Sequence, residues 1–233
     1  MVKRKRIAFW GPTQVGKTAL MATTLYSDSP ELARVRRNGP QGSINQSLFD
    51  VFLRLNQNQW VLPTSADWTG LTLLTEAGAE VEIVDIRGGL ALEMQSPATR
   101  ELLGSCDGVL FLAEYRGTGA GAQIAAIEAA ARETEGKVHA LAFTKCERWL
   151  AYDDPIWDGG NDWIEHTPLW AAHSETLKRF RDAAWPTSSF GYDSVRALPA
   201  VILGEMGQML PFRINPRNVA KPLAWMLRRM ECL

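Results

Sequence analysis

Histidine and cysteine are scarce, with three of each in 233 residues. Cys106, Cys146 and Cys232 lie far apart, and His139, His166 and His173 stand at no spacing that would gather them with cysteines or carboxylates around zinc. An odd, scattered set of thiols makes no disulfide framework and reads as reduced cysteine in a cytoplasmic protein. Cys232, next to last, does not fit a prenylation signal. No uninterrupted apolar stretch approaches the ~20 residues of a membrane-crossing helix, so the sequence gives no strong membrane signal. The first apolar segment is too short for a secretory leader. Neither sign of charge dominates: 25 Lys+Arg stand against 26 Asp+Glu, a net charge of −1. That balance gives no global attraction to nucleic acid, and no nucleic-acid partner is expected. The basic run Lys3-Arg4-Lys5-Arg6 reads as a solvated lead-in to the first strand. A serine hydrolase would need a G-x-S-x-G elbow, and none occurs. No internal repeat is visible.

What is present is a phosphate-binding loop. Gly11-Pro-Thr-Gln-Val-Gly-Lys-Thr18 fits G-x-x-x-x-G-K-[ST] at every constrained position. An apolar run at 7–10 precedes it and a helix-permissive stretch at 19–25 follows, which is the strand–loop–helix setting the motif needs. Gly11 and Gly16 let successive backbone N–H groups face one anion, and the following helix adds its positive end. The expected nucleotide-binding residues are Gly11, Thr13, Gln14, Val15, Gly16, Lys17, Thr18 and Ala19. Lys17 would reach the β- and γ-phosphates of a nucleoside triphosphate, and the Thr18 hydroxyl would ligate magnesium. Because Lys17 faces the ligand in this reading, its removal is expected to leave stability without nucleotide unchanged.

Short apolar runs alternate with helical stretches, so the sequence predicts an α/β fold of the P-loop NTPase kind. Its sheet would be mainly parallel with one antiparallel hairpin strand, and helices would cover both faces. Strands are expected at 7–10, 69–75, 80–84, 108–113, 138–143 and 198–203, the second and third joined by a hairpin turn at 76–79. Helices are expected at 17–25, 44–55, 122–134 and 222–229. All 233 residues read as one domain, with a C-terminal helix around 222–229 and an insertion around 149–173 that breaks the rhythm. The insertion carries Trp149, Trp157, Trp163 and Trp170 among aspartates. It reads as an ordered loop packing its own tryptophans, or else as a partner-binding element.

Two further boxes narrow the chemistry. The run 81–84 leads into Asp85-Ile86-Arg87-Gly88, where Asp85 would anchor the magnesium and the Gly88 N–H would meet the γ-phosphate. After the expected strand 138–143 comes Thr144-Lys145-Cys146-Glu147, which resembles the base-recognition motif N/T-K-x-D of GTPases. In that motif the lysine lies along guanine and the acid accepts from guanine N1–H and its amino group, a donor pair adenine lacks. Glu147 stands where the motif usually has Asp.

The three boxes in order resemble the Ras-like small GTPases of the translation-factor-related class of P-loop proteins, well over about 5–148 and more weakly around 198–207. The ending Ile214-Asn215-Pro216-Arg217-Asn218-Val219 with Pro222-Leu223-Ala224-Trp225 also looks like bacterial GTPase-like domains associated with conflict systems. The resemblance implies a switch threonine that ligates magnesium and senses the γ-phosphate. Thr64 is the first choice, with Ser65 and Thr69 behind it, and the helix at 44–55 would be an insertion in that switch. It also places Gly204 in the last base-contacting loop and expects an effector or activating protein. Gly89 stands where the family often has a water-orienting glutamine, so slow unassisted hydrolysis is expected. The implied activity is Mg-dependent hydrolysis of GTP to GDP and phosphate, with Lys17, Thr64 and Gly88 as the catalytic groups. Two alternatives stay open: a pseudo-GTPase that binds nucleotide without turnover, and an ATP-using P-loop enzyme.

Overall fold

Side chains alternating along the central strands go to two different cores. In β1 (Arg4–Trp10), Ile7 and Phe9 join one buried cluster while Ala8 and Trp10 join the other. In β5 (Gly108–Glu114), Leu110 and Leu112 face the first cluster and Val109, Phe111 and Ala113 the second. Strands apolar on both faces belong inside a sheet covered on both sides. The computed structural model describes residues 2–38, 44–57, 68–86, 96–151, 153–158, 162–191 and 214–233.

Seven strands make one sheet in the order β2-β3-β4-β1-β5-β6-β7. The others are β2 (Val35–Asn38), β3 (Trp68–Thr75), β4 (Glu80–Asp85), β6 (Val138–Thr144) and β7 (Ala184–Pro186). β1 pairs in parallel with β4 and β5, and β5–β6 and β6–β7 are parallel too. β3 runs against both of its neighbours, β2 and β4. The expected hairpin closes through Thr75 N–H to Ala79 O, 3.0 Å, and Gly78 N–H to Thr75 O, 2.9 Å. A mainly parallel sheet with one antiparallel strand is therefore observed.

Helices α1 (Lys17–Tyr26), α2 (Ile44–Asn56) and α6 (Lys221–Arg229) supply the first cluster with Leu20, Met21, Leu48, Val51, Leu55, Leu223, Met226 and Leu227. Helices α3 (Pro97–Gly104), α4 (Ala120–Glu133) and α5 (Trp170–Lys178) supply the second with Leu103, Ile124, Ile127 and Leu177. No described helix is long and apolar enough to cross a membrane.

Several expectations change. The basic run is a solvated lead-in only in part: the Arg4 side chain is 82% exposed, whereas those of Lys5 and Arg6 are 27% and 30% exposed. Arg4–Arg6 already belong to β1, and each cation has a partner: Lys3–Glu231 at 3.1 Å, Arg4–Glu80 at 2.9 Å, Lys5–Asp107 at 2.7 Å and Arg6–Glu82 at 2.9 Å. Two of these pairs, Arg4–Glu80 and Arg6–Glu82, are cross-strand neighbours of opposite sign in the β1–β4 register. Strands β2 and β7 and helices α3 and α5 were not expected. The strand expected at 198–203 lies outside the described residues.

The described residues of the 149–173 stretch hold two 3₁₀ turns, Pro155–Asp158 and Trp163–His166, and lead into α5. Trp157 and Trp163 are buried. The Trp163 indole N–H donates to Ala184 O at 3.1 Å, and its ring meets Phe143 edge-on at 5.6 Å. The Arg217 guanidinium covers Trp157 at 4.7 Å. These two tryptophans pack inward as the loop reading expects, whereas Trp149 remains 47% exposed.

Candidate nucleotide-binding site

The order of strands reverses direction at β1, with β4 on one side and β5 on the other. In open parallel sheets a crevice forms at such a point, beyond the carboxyl ends of the strands. The phosphate-loop sequence leaves β1 at that place.

Gly11 stands where a side chain would not fit. A Cβ there would lie 3.0 Å from Val15 Cγ1 and 3.1 Å from both Leu112 Cβ and Leu112 O. The loop therefore turns against the neighbouring strand. Gln14 (φ 66°) and Gly16 (φ 93°) take left-handed backbone, and Leu20 N–H donates to Gly16 O at 2.9 Å to open α1. No side chain caps that helix at Gly16, and no acidic residue stands in its first turn. Its positive end thus has no acid from the helix's own first turn beside it, an arrangement that suits a phosphate. Thr13 and Gln14 are exposed, Thr18 and Ala19 half-buried, and Val15 buried.

Lys17, the first residue of α1, is 8% exposed. Its Nζ lies 3.3 Å from Asp85 Oδ1, and Asp85 is 2% exposed. The pairing follows from register: Phe9 stands opposite Asp85 in β1–β4, and Ile86 N–H donates to Phe9 O at 3.2 Å. The phosphate-loop cation and the carboxylate of the second box, 68 positions apart in sequence (85 − 17), are in contact. Removing Lys17 would leave a carboxylate buried without this cation. The contact argues that Lys17 serves stability as well as ligand, against the expectation that its removal leaves stability unchanged. An oxygen-only set of Asp85 carboxylate and Thr18 hydroxyl is a hard donor set. It fits magnesium, which takes one or two protein oxygens plus phosphate oxygens.

The third box joins the first through Thr144. Its buried hydroxyl lies 2.6 Å from Val15 O and 3.2 Å from Ala113 O, tying the phosphate loop to the ends of β5 and β6. Lys145 follows with left-handed backbone, φ 57°, and opens the 3₁₀ turn Cys146–Arg148. The Lys145 ammonium pairs with the carboxylate of Glu114, the last residue of β5. Glu147 is half-buried beside Cys146. Burial pushes the Cys146 thiol well above its ordinary pKa, with the Glu147 charge adding to the rise, so it is a packing group and not a nucleophile.

Residues 187–191, after β7, run beside this turn. Thr187 N–H donates to Phe143 O at 2.7 Å, its hydroxyl donates to the same oxygen at 2.8 Å, and Cys146 N–H donates to Thr187 O at 3.3 Å. Thr23 Oγ1 in α1 lies 3.4 Å from Ser189 Oγ. The structure thus brings together Gly11–Ala19, Asp85, Thr144, Lys145 and Glu147 at one edge of the sheet. Thr64, Ser65, Gly88, Gly89 and Gly204 lie outside the described residues, as does the side chain of Thr69. Sequence reasoning missed Glu114 and the 187–189 segment. The first had a signal, an acid closing an apolar strand; the second follows a strand too short to show one.

The chain matches no protein-family model and no curated protein.

Proposed function

We propose that this chain is a Mg-dependent GTP-binding switch of Ras-like P-loop type, working in a reducing, cytoplasmic setting. The observation that carries the reading is the Lys17–Asp85 contact at 3.3 Å, beneath a helix start that holds no acid of its own. Two boxes recognised separately in the sequence meet where a triphosphate and its metal would sit.

In this reading the N–H groups of the 11–18 loop hold the β-phosphate, and Lys17 moves from Asp85 to the phosphates. Thr18 and Asp85 would hold magnesium, whose part is to neutralise charge on the phosphate oxygens. Thr64 and Gly88 keep their roles as γ-phosphate sensors, and the reaction is attack of water on the γ-phosphoryl group. Thr144 fixes the distance between the phosphate loop and the base loop. Lys145 lies along the base and Glu147 accepts from guanine. The 187–189 segment, bonded to the base loop through Thr187, is a candidate for the last base-contacting loop beside the earlier choice, Gly204. An effector or activating protein completes the switch by reading the γ-phosphate state.

The test is calorimetric binding of Mg-GTP and Mg-ATP. GTP should bind more tightly. Glu147→Ala should lower GTP affinity and leave ATP almost untouched. Lys17→Ala should cost both at least tenfold, about 1.4 kcal/mol. A preference for ATP would overturn the guanine reading in favour of an ATP-using enzyme. Binding of neither nucleotide would overturn the site.

A further inference from the structure

We propose that Glu114 is a positioning residue for the base. It clamps the Lys145 ammonium so that the lysine's methylene stem is presented to the purine face, and so helps set how firmly the base loop grips its nucleoside. This rests on the nucleotide reading above but names a residue outside the three boxes.

The contact is more than a loose surface pair. The side chains of Lys145 and Glu114 are only 22% and 21% exposed. Glu114 is held from its backbone as well: its N–H donates to Gln123 Oε1 in α4 at 2.7 Å. It also stands opposite Thr144 in the β5–β6 register, and Tyr115 N–H donates to Thr144 O at 3.2 Å. Space for the carboxylate is provided by Gly117. That residue has φ 151°, and a Cβ there would come within 2.9 Å of Glu114 Oε2. Lys145 itself starts from left-handed backbone, which few residues other than glycine adopt, so its direction is set from below by the turn and from above by Glu114.

The chemistry follows. A lysine left to itself samples many rotamers around a strongly hydrated ammonium. Fixing the ammonium on a carboxylate leaves the four-carbon stem as a flat apolar strip, the part of the side chain able to cover a ring. Ordering that strip before the ligand arrives removes an entropy cost from binding. Glu114 acts through Lys145 and touches no reacting atom.

The experiment compares Mg-GTP with inorganic tripolyphosphate, which shares the phosphate contacts and lacks the base. Calorimetry is run on the wild-type chain, Glu114→Ala, Glu114→Gln, Lys145→Ala and the Glu114→Ala/Lys145→Ala double variant. Glu114→Ala should weaken GTP binding on the order of tenfold and leave tripolyphosphate within about twofold. Glu114→Gln, of nearly the same shape and able to accept a hydrogen bond, should recover part of the loss. The double variant should be no worse than the worse single one, since both act through one contact. Equal losses for GTP and tripolyphosphate would mean a merely structural role and overturn the inference. Unchanged GTP affinity in Glu114→Ala, or fully additive losses in the double variant, would overturn it as well. A wild type that binds tripolyphosphate as tightly as GTP would overturn the base-binding reading itself, and that result is visible before any variant is made.

Discussion

Deleting the Lys17 side chain should destabilise the empty protein, although the role proposed for the residue is to bind ligand. Lys17 and Asp85 are 8% and 2% exposed and 3.3 Å apart. Breaking a buried ion pair from one side typically costs about 3–5 kcal/mol, because the remaining charge stays desolvated. The low end of that range gives about 3 kcal/mol for Lys17→Ala. In a chain of this size each kcal/mol moves Tm by about 2–4 °C, so the melt should fall by about 6–12 °C. Asp85→Ala should cost a similar amount for the mirror reason. The double variant removes both charges and should be clearly less damaged than the sum of the singles, since neighbours sharing one contact are not additive. Thermal melts of the four proteins in nucleotide-free, metal-chelated buffer decide the matter. Single variants that melt with the wild type, or a double variant equal to the sum, would refute the argument that the two charges neutralise each other.

Thr144→Val should cost about 1–3 kcal/mol in urea unfolding, because Val15 O at 2.6 Å loses its buried donor; no change would mean the loop is held elsewhere. Tyr115 supplies a pH test. Burial, the largest cause, pushes its phenol from 10.0 to about 12. A raised pKa stabilises fully below the unfolded value, so this contribution should be intact below pH 10 and disappear as pH climbs towards 12. Tyr115→Phe should lose less Tm than the wild type over that interval; parallel pH profiles would contradict the assignment. Hydrolysis by the isolated chain should be slow, since Gly89 offers no side chain to orient water. Unassisted small GTPases work at ~10⁻⁴ s⁻¹, and phosphate release near ~1 s⁻¹ without a partner would refute this.

The parts of the fold legible in the sequence are those whose signal is local. The run 7–10, the loop and α1 carry a motif, while 108–113 and 138–143 are apolar enough to be strands buried on both faces. Strand β2 was hidden because Val35-Arg36-Arg37-Asn38 has a single apolar residue, and its place comes from pairing with β3. Strand β7 is three residues ending in Pro186, too short for any periodicity, and is recruited by parallel pairing with β6. The same holds in the site. Lys17, Asp85 and Thr144 were named from motifs, but their mutual contacts depend on strand order, which brings β4 and β5 to either side of β1. Glu114 escaped notice because nothing in the sequence says that it stands opposite Thr144. The pairing of the basic run was hidden for a related reason: its four partners, Glu231, Glu80, Asp107 and Glu82, are all distant in sequence.

The central claim, a guanine nucleotide at the Lys17 loop, is tested most directly by what the protein carries from the cell. The chain is purified quickly in magnesium buffer and denatured, and the released small molecules are separated by ion-exchange chromatography beside a Lys17→Ala control. The account predicts GDP or GTP from the wild type and little or none from the control. Release of ADP or ATP instead, or of the same nucleotides in equal amount from the control, would contradict it.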